Sequence, residues 1–332
     1  MKKLLFILIL SFLFSNILLA NDNKNVALIL EKTDAWSNLL SQAFMDSAKK
    51  NGLNPEIVMA PVGENQDNIF CDVAKKHSLV LVATPSLHEV LRNNAANFRR
   101  VHFGCIDTGV RAPNIMSVSF ADEQVAYLSG IICAMLTVRT EIDGINPAKV
   151  VGWISDEDDP IQNSMFSGFT EGVKLIDPTI RTIRVIISSD NINEQLDYLV
   201  SQGVDVFVNG STILNNLAIN KISEKKLHVL SLHVPLPIDK NFMVATLVKR
   251  GDLAVQEIVE AHAKGAFLGK EIRVHSLKDK GVFLRDYEKY LSLLGKKAPP
   301  NLERRLSEIT NELISESIRI KSLRIRTLCD CL

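Results

Sequence analysis

The stretch VVGWISDEDDPIQNSMFSGFTEGVKLIDPTIRTIRVIIS (150–188) decides the fold. It opens on a short apolar run, VVGWIS (150–155), and closes on another, TIRVIIS (182–188). An acidic loop and a helical pattern over 161–175 lie between them. Near-continuous apolar strands separated by helices imply a parallel sheet covered on both faces.

The same unit repeats outward in both directions. Toward the N-terminus stand VALIL (26–30), PEIVMAP (55–61), LVLVAT (79–84), RVHFGCID (100–107) and SVSF (117–120). Toward the C-terminus stand VDVFVNG (204–210) and LHVLSL (227–232). Helical patterns run over 36–50, 65–76, 122–138, 191–202 and 250–264. Two such strand series predict two doubly wound lobes, and 332 residues are too many for one ordinary compact core. ADEQVAYLSGIICAMLT (121–137) lies between the series. Asp122 and Glu123 favour a helix start, and Val125, Leu128, Ile132, Met135 and Leu136 form an apolar stripe, so it is expected to carry the chain from one lobe to the other.

The first twenty residues, MKKLLFILILSFLFSNILLA, join two lysines, an apolar run from Leu4 to Phe14 and a small residue at Ala20. That layout predicts a cleaved secretory signal, since the run is too short to span a bilayer. No cysteine follows it, which argues against a lipid anchor. Charge is balanced at 38 basic and 38 acidic residues. Without Lys2 and Lys3 the count is 36 against 38, a net of −2, which offers nothing to nucleic acid or an anionic membrane. The five cysteines make no scaffold: Cys105 and Cys133 are expected as buried small hydrophobes, Cys71 as a similar case, and Cys329 and Cys331 are too isolated for a zinc site. No nucleophile elbow, H-E-x-x-H, phosphate loop or CxxC pair is present, so neither an enzyme nor a cofactor or metal is expected.

Longer segments carry a resemblance. GCIDTGVRAPNIMSVSFADEQVAYLSGIICAMLT (104–137) is similar to the basic membrane protein family of exported solute-binding proteins, which includes purine nucleoside-binding members. So are the strand, Asp-x-Pro loop and G-F-x-x-G-V helix of 150–181, through Asp158, Pro160, Gly168, Phe169, Gly172 and Val173. SQGVDVFVNGSTILN (201–215) resembles the family's G-A-D-V-I-F segment, and LVKRGDLAVQEIV (247–259) its V-K-R-x-D-x-A-V segment. APPNLERRLSEITNELISESIRI (298–320) resembles its closing helix and terminal strand. The resemblance implies a type I periplasmic-binding-protein fold: lobe 1 over 21–145 plus 242–270, lobe 2 over 146–241 plus 271–320, and a tail over 321–332. It also implies an ABC permease and ATPase as partners, with a nucleoside as the first ligand candidate. The family's D-x-S-F-N pattern stands here as Asp34-Ala35-Trp36-Ser37-Asn38, and its V-D-S-D segment as Leu232-His233-Val234-Pro235.

Loops at the carboxyl ends of the strands surround the crevice of a doubly wound sheet. On those loops, Trp36 offers a stacking platform for a flat heterocycle, or else packing on a lobe surface. Asp34 and Asn38 offer polar contacts beside it, although Asp34 also reads as a helix cap. Asp107, ending a strand at CIDTG, is a ligand acceptor or a turn-forming aspartate. In Asp156-Glu157-Asp158-Asp159 solvated acids and a cap ahead of Pro160 explain more than a metal does, and Asp158 is taken as a ligand contact through the resemblance. Ser211 sits in Asn209-Gly210-Ser211-Thr212, where backbone and hydroxyls can approach a ligand. His233 can bond a hydroxyl or carbonyl, or be a satisfied structural residue. Lys249 matches the family's lysine and can pair with Asp107 across the cleft or reach a ligand oxygen. Riboflavin, which also joins a flat ring to a polyol, is the alternative ligand. A sensor module reporting to a membrane receptor and a surface adhesion or antigenic protein are the alternative roles.

Overall fold

The structure, a computed structural model, describes residues 23–156, 158–211, 216–233 and 236–320. The expected leader, the tail with Cys329 and Cys331, and Thr212, Val234 and Pro235 lie outside that set.

The chain forms two six-stranded sheets. The first orders its strands β11-β5-β4-β3-β1-β2, from β1 (Asn25–Leu30), β2 (Asn54–Met59), β3 (Leu79–Val82), β4 (His102–Ile106), β5 (Ile115–Phe120) and β11 (Ile272–His275). The second orders them β12-β10-β9-β8-β6-β7, from β6 (Val150–Ser155), β7 (Arg181–Ile186), β8 (Val204–Asn209), β9 (His228–Leu232), β10 (Met243–Lys249) and β12 (Val282–Arg285). Every pairing is parallel except β10 with β12. β3, β5, β6 and β8 are buried at every residue, as strands covered on both faces must be. Each sheet reverses direction beside its first strand, between β1 and β3 and between β6 and β8. In such folds the ligand crevice opens at that reversal.

Helices fill both faces. α1 (Ala35–Lys50), α2 (Gln66–Lys76), α3 (Pro85–Asn94) and α8 (Gly251–Ala263) belong to the first lobe. α5 (Pro160–Ile176), α6 (Ile192–Ser201), α7 (Asn216–Glu224) and the terminal α9 (Tyr287–Leu294) and α10 (Leu302–Ile314) serve the second. One apolar core runs through both lobes, and a smaller one lies under the outer face of each sheet. α4 (Asp122–Thr137) packs on α5 with almost no side chain between them. A Cβ on Gly172 would stand 2.0 Å from the Tyr127 carbonyl oxygen, one on Gly168 2.4 Å from that of Glu123, and one on Gly130 2.2 Å from that of Phe169. Only glycine allows that approach.

The chain crosses between sheets after β5, after β10 and between β11 and β12. These points differ from the expected divisions at 145, 241 and 270. β10 joins the second sheet, β11 joins the first, and α4 packs on lobe 2. The expected terminal strand is also absent among the described residues: past α10, residues 315–320 carry no strand. Cys105 and Cys133 are buried free thiols, and Cys71 is half-buried.

Candidate functional site

The carboxyl ends of β1, β3, β4, β6, β8, β9 and β10 converge on one cleft between the lobes, about 680 Å³ with its solvent mouth included. A concave space where strand ends of two lobes converge is where a small-molecule site is expected. Lobe 1 contributes Glu31, Asp34, Trp36, Thr84 and Asp107; lobe 2 contributes Asp156, Asp159, Gln162, His233 and Lys249.

Trp36 lies in the first turn of α1. Its helix starts there because the Asp34 carboxylate accepts the Ser37 amide at 2.7 Å. The indole is only 8% exposed, yet it lies at the gap and not within one lobe. His233, from the loop after β9, stacks on it with ring centroids 4.9 Å apart and planes at 26°. Phe120 meets it edge-on at 6.3 Å. Gly251 passes so close that an added Cβ would fall 2.5 Å from the indole.

Lys249 closes the floor. Its ammonium donates to Asp107 Oδ2 at 2.7 Å and to Asp122 Oδ2 at 3.4 Å, and lies 4.8 Å from the Trp36 ring centre and 5.6 Å from that of Phe120. The three side chains are 5%, 8% and 1% exposed respectively. Charged groups this deep persist only when paired and hydrogen-bonded. Because Lys249 ends a lobe 2 strand and Asp107 a lobe 1 strand, the ion pair spans the gap.

Two cleft residues hold left-handed backbone, Asp107 at φ +75° and His233 at φ +66°. Each leaves the right-handed and extended basins at a cost of ~1–2 kcal/mol. They occupy equivalent places in the two lobes: the Asp107 amide donates to Val118 O and the His233 amide to Leu247 O, both at 2.8 Å. Burial and the nearby Lys249 cation push the His233 imidazole down to about 3, so it is neutral at ordinary pH. Its Nδ1 is buried with no hydrogen-bond partner among the described residues.

The cleft thus gathers Asp34, Trp36, Asp107, His233 and Lys249. Asn38 is exposed on α1 and does not line it. Asp158 is exposed and pairs with Arg184 at 3.7 Å, while its neighbours Asp156 and Asp159 do the lining. Asp159 also caps α5, accepting the Ile161 and Gln162 amides at 2.6 and 3.0 Å. Ser211 is buried beside the cleft in a turn with Asn209; Gly210 provides the lining there. Among the described residues no group of three or more His, Cys, Asp or Glu is placed to hold a metal ion, and no helix is long and apolar enough to cross a membrane. Glu31, Thr84, Gln162 and Asp122 escaped the sequence reading. The signal for Thr84 was available, because Thr-Pro after LVLVA marks the same strand-to-helix edge that exposed Trp36.

Solved structures share this arrangement. A solute-binding protein of an ABC transporter system from Aeropyrum pernix K1 superposes with a TM-score of 0.78 at 16% identity, over 90% of this chain and 93% of that one. An ABC transporter system solute-binding protein from Conexibacter woesei DSM 14684 gives 0.62 at 16% identity, over 90% and 99%. A transcriptional activator of the comK gene from Bacillus halodurans gives 0.68 at 15% identity, over 88% and 98%. At these identities the likeness carries the fold, the type I periplasmic-binding-protein architecture. The family described as PnrA-like ABC transporter substrate-binding proteins matches residues 36–324. With most of its length matched, this chain belongs to that family, Bmp.

Proposed function

We propose that this substrate-binding protein captures a flat, hydroxyl-bearing heterocycle of the nucleoside type and delivers it to an ABC permease and ATPase. Membership of the family supplies the small ligand and the transporter partners. The observation that carries the ligand class is the parallel pair formed by Trp36 and His233 from opposite lobes, 4.9 Å apart. A planar guest seated between them needs roughly 7 Å, two van der Waals contacts of ~3.5 Å. A small opening of the lobes provides that room, and closure sheds water and strengthens each polar contact inside. Stacking on an aromatic side chain contributes ~1–3 kcal/mol per base. The carboxylates around the cleft accept O–H and N–H donors, and their excess over Lys32 and Lys249 disfavours a phosphorylated guest. Export by a cleaved leader belongs to the same reading.

Intrinsic fluorescence provides the test, because Trp36 is one of two tryptophans and Trp153, fully buried behind the lining residue Gln162, does not itself line the cleft. Titration with nucleosides and riboflavin is expected to quench emission saturably, and Trp36→Phe to weaken binding on the order of tenfold. Riboflavin binding with no nucleoside response would select the flavin alternative. Saturable binding of sugars or amino acids alone would refute the stacking reading.

A further inference from the structure

The places where the chain passes between the lobes are fastened to one another. The Ala121 amide, after β5, donates to His275 O at 2.7 Å, and the Arg250 amide, after β10, donates to Gly281 O at 2.8 Å. The Leu277 amide donates to Gln124 Oε1 of α4 at 3.0 Å. Residues 276–281 are thus held from both sides as they run from β11 to β12. His275 stands at the head of that segment and is only 8% exposed. Its Nδ1 donates to Asp279 Oδ2 at 2.6 Å, and its Nε2 lies 3.3 Å from Glu257 Oε1. A carboxylate at each ring nitrogen suits the imidazolium, the form that carries a proton on both. Pairing with Glu257 and Asp279 raises the ring to about 9, against the opposing effect of burial. Arg273, two residues back on β11, is itself taken up by Glu271 at 2.9 Å and shares Glu257 at 3.4 Å.

The two carboxylates belong to different parts of the hinge. Glu257 projects from α8 of lobe 1, whereas Asp279 shapes the turn into β12 of lobe 2, accepting the Ser276 and Gly281 amides at 2.8 and 3.1 Å. The imidazolium between them therefore joins the body of one lobe to the crossover that enters the other. It also reaches the cleft. His275 is the register partner of Phe120 across β11 and β5, with the rings 5.8 Å apart, within cation–π range. Phe120 in turn meets Trp36 edge-on. We propose that His275 is a positioning residue for ligand capture: its imidazolium ties α8 to the β11–β12 crossover and holds Phe120 against Trp36, which fixes the register in which the lobes close. The inference rests on lobe closure as the mode of capture and not on which solute is captured.

Small-angle X-ray scattering and tryptophan emission of the ligand-free protein, followed from pH 7 to pH 10 in wild type, His275→Gln, His275→Lys and Asp279→Asn, test it. Glutamine keeps the bulk without the charge, and lysine keeps the charge. Subtracting the spectrum of Trp36→Phe leaves the emission of Trp36. Wild type is expected to hold one radius of gyration near neutral pH, then to expand and shift to the red as pH passes about 9. His275→Gln should show the expanded, red-shifted form already at pH 7 with no step above it, and His275→Lys should stay compact throughout. In Asp279→Asn, which removes one of the two partners, the step should move to lower pH; this arm decides the matter if His275→Gln does not fold. Cooperative melting at pH 7 separates a change in lobe spacing from unfolding. A wild type with no step, a folded His275→Gln that matches wild type at pH 7, or a step that Asp279→Asn leaves in place overturns the proposal. A lysine variant that opens as glutamine does assigns the ring a packing role and overturns it too. Because no ligand is added, the outcome stands apart from the ligand titrations above.

Discussion

Replacing Lys249 by methionine keeps most of the side chain's reach and removes its charge, leaving Asp107 and Asp122 facing a buried thioether. At an effective dielectric near 20, the 2.7 and 3.4 Å contacts correspond to about 6 and about 5 kcal/mol of gross attraction. Withdrawing three nearly buried ions from water offsets most of that sum. The net cost of losing one partner follows from the carboxylates left behind, about 3–5 kcal/mol for a buried pair. Asp122 is partly protected, because it opens α4 and meets the positive end of the helix dipole. Equilibrium urea unfolding of ligand-free protein is therefore expected to lose about 3–5 kcal/mol in Lys249→Met. The double variant Lys249→Met with Asp107→Asn should recover most of the loss. A single variant within ~1 kcal/mol of wild type, the range of an exposed pair, would refute a buried, mutually dependent cluster. So would a double variant as unstable as the single.

Other expectations follow from the same geometry. The Glu257 and Asp279 carboxylates hold the His275 imidazolium and raise it to about 9 from 6.5, so its contribution is complete below pH ~6.5 and fades as pH rises through about 9. Melting temperature should therefore fall from pH 7 to 10, and His275→Gln should flatten that limb. Burial depresses His233 to about 3 and His262 to about 4, so their share of stability is lost as pH falls below 6.5 toward those values. Melting temperatures measured from pH 7 down to pH 4 should fall less steeply for His262→Gln than for wild type. Gly172→Ala must push the Tyr127 carbonyl aside and is expected to cost about 3 kcal/mol or more, read as a lowered urea midpoint.

The architecture was legible because its signals are local and repeated. VVGWIS, VDVFVNG and LVLVAT read as strands buried on both faces, and the Asp-Pro start of α5 read as a cap. β10 to β12 were not legible in that way. IRVH and VFLR are short, lie at sheet edges and are only partly buried, and β10 runs straight into the helix of the V-K-R segment. Which sheet each strand joins is a non-local fact, so the lobe boundaries shifted. For the cleft, Trp36 stood out by residue type at a strand-to-helix edge, and Lys249 by the resemblance. Asn38 was drawn in by its proximity to Trp36 and Asp158 by the resemblance, and the structure turns both to solvent. Thr84 stands at a strand-to-helix edge that Thr-Pro announces, whereas Glu31 is marked only by its place in the folded cleft.

The glycine seam between α4 and α5 bears on how the molecule opens. Backbones that interlock so closely cannot slide, so α4 travels as cargo of lobe 2, and Asp122 at its tip travels with it. Lys249 rides on the same body. Parting the lobes therefore severs the lysine from Asp107 alone, while Asp122 keeps its charge compensated throughout the excursion. The open form inherits a neutralised floor, and reclosure needs to restore one bond rather than rebuild a buried triad.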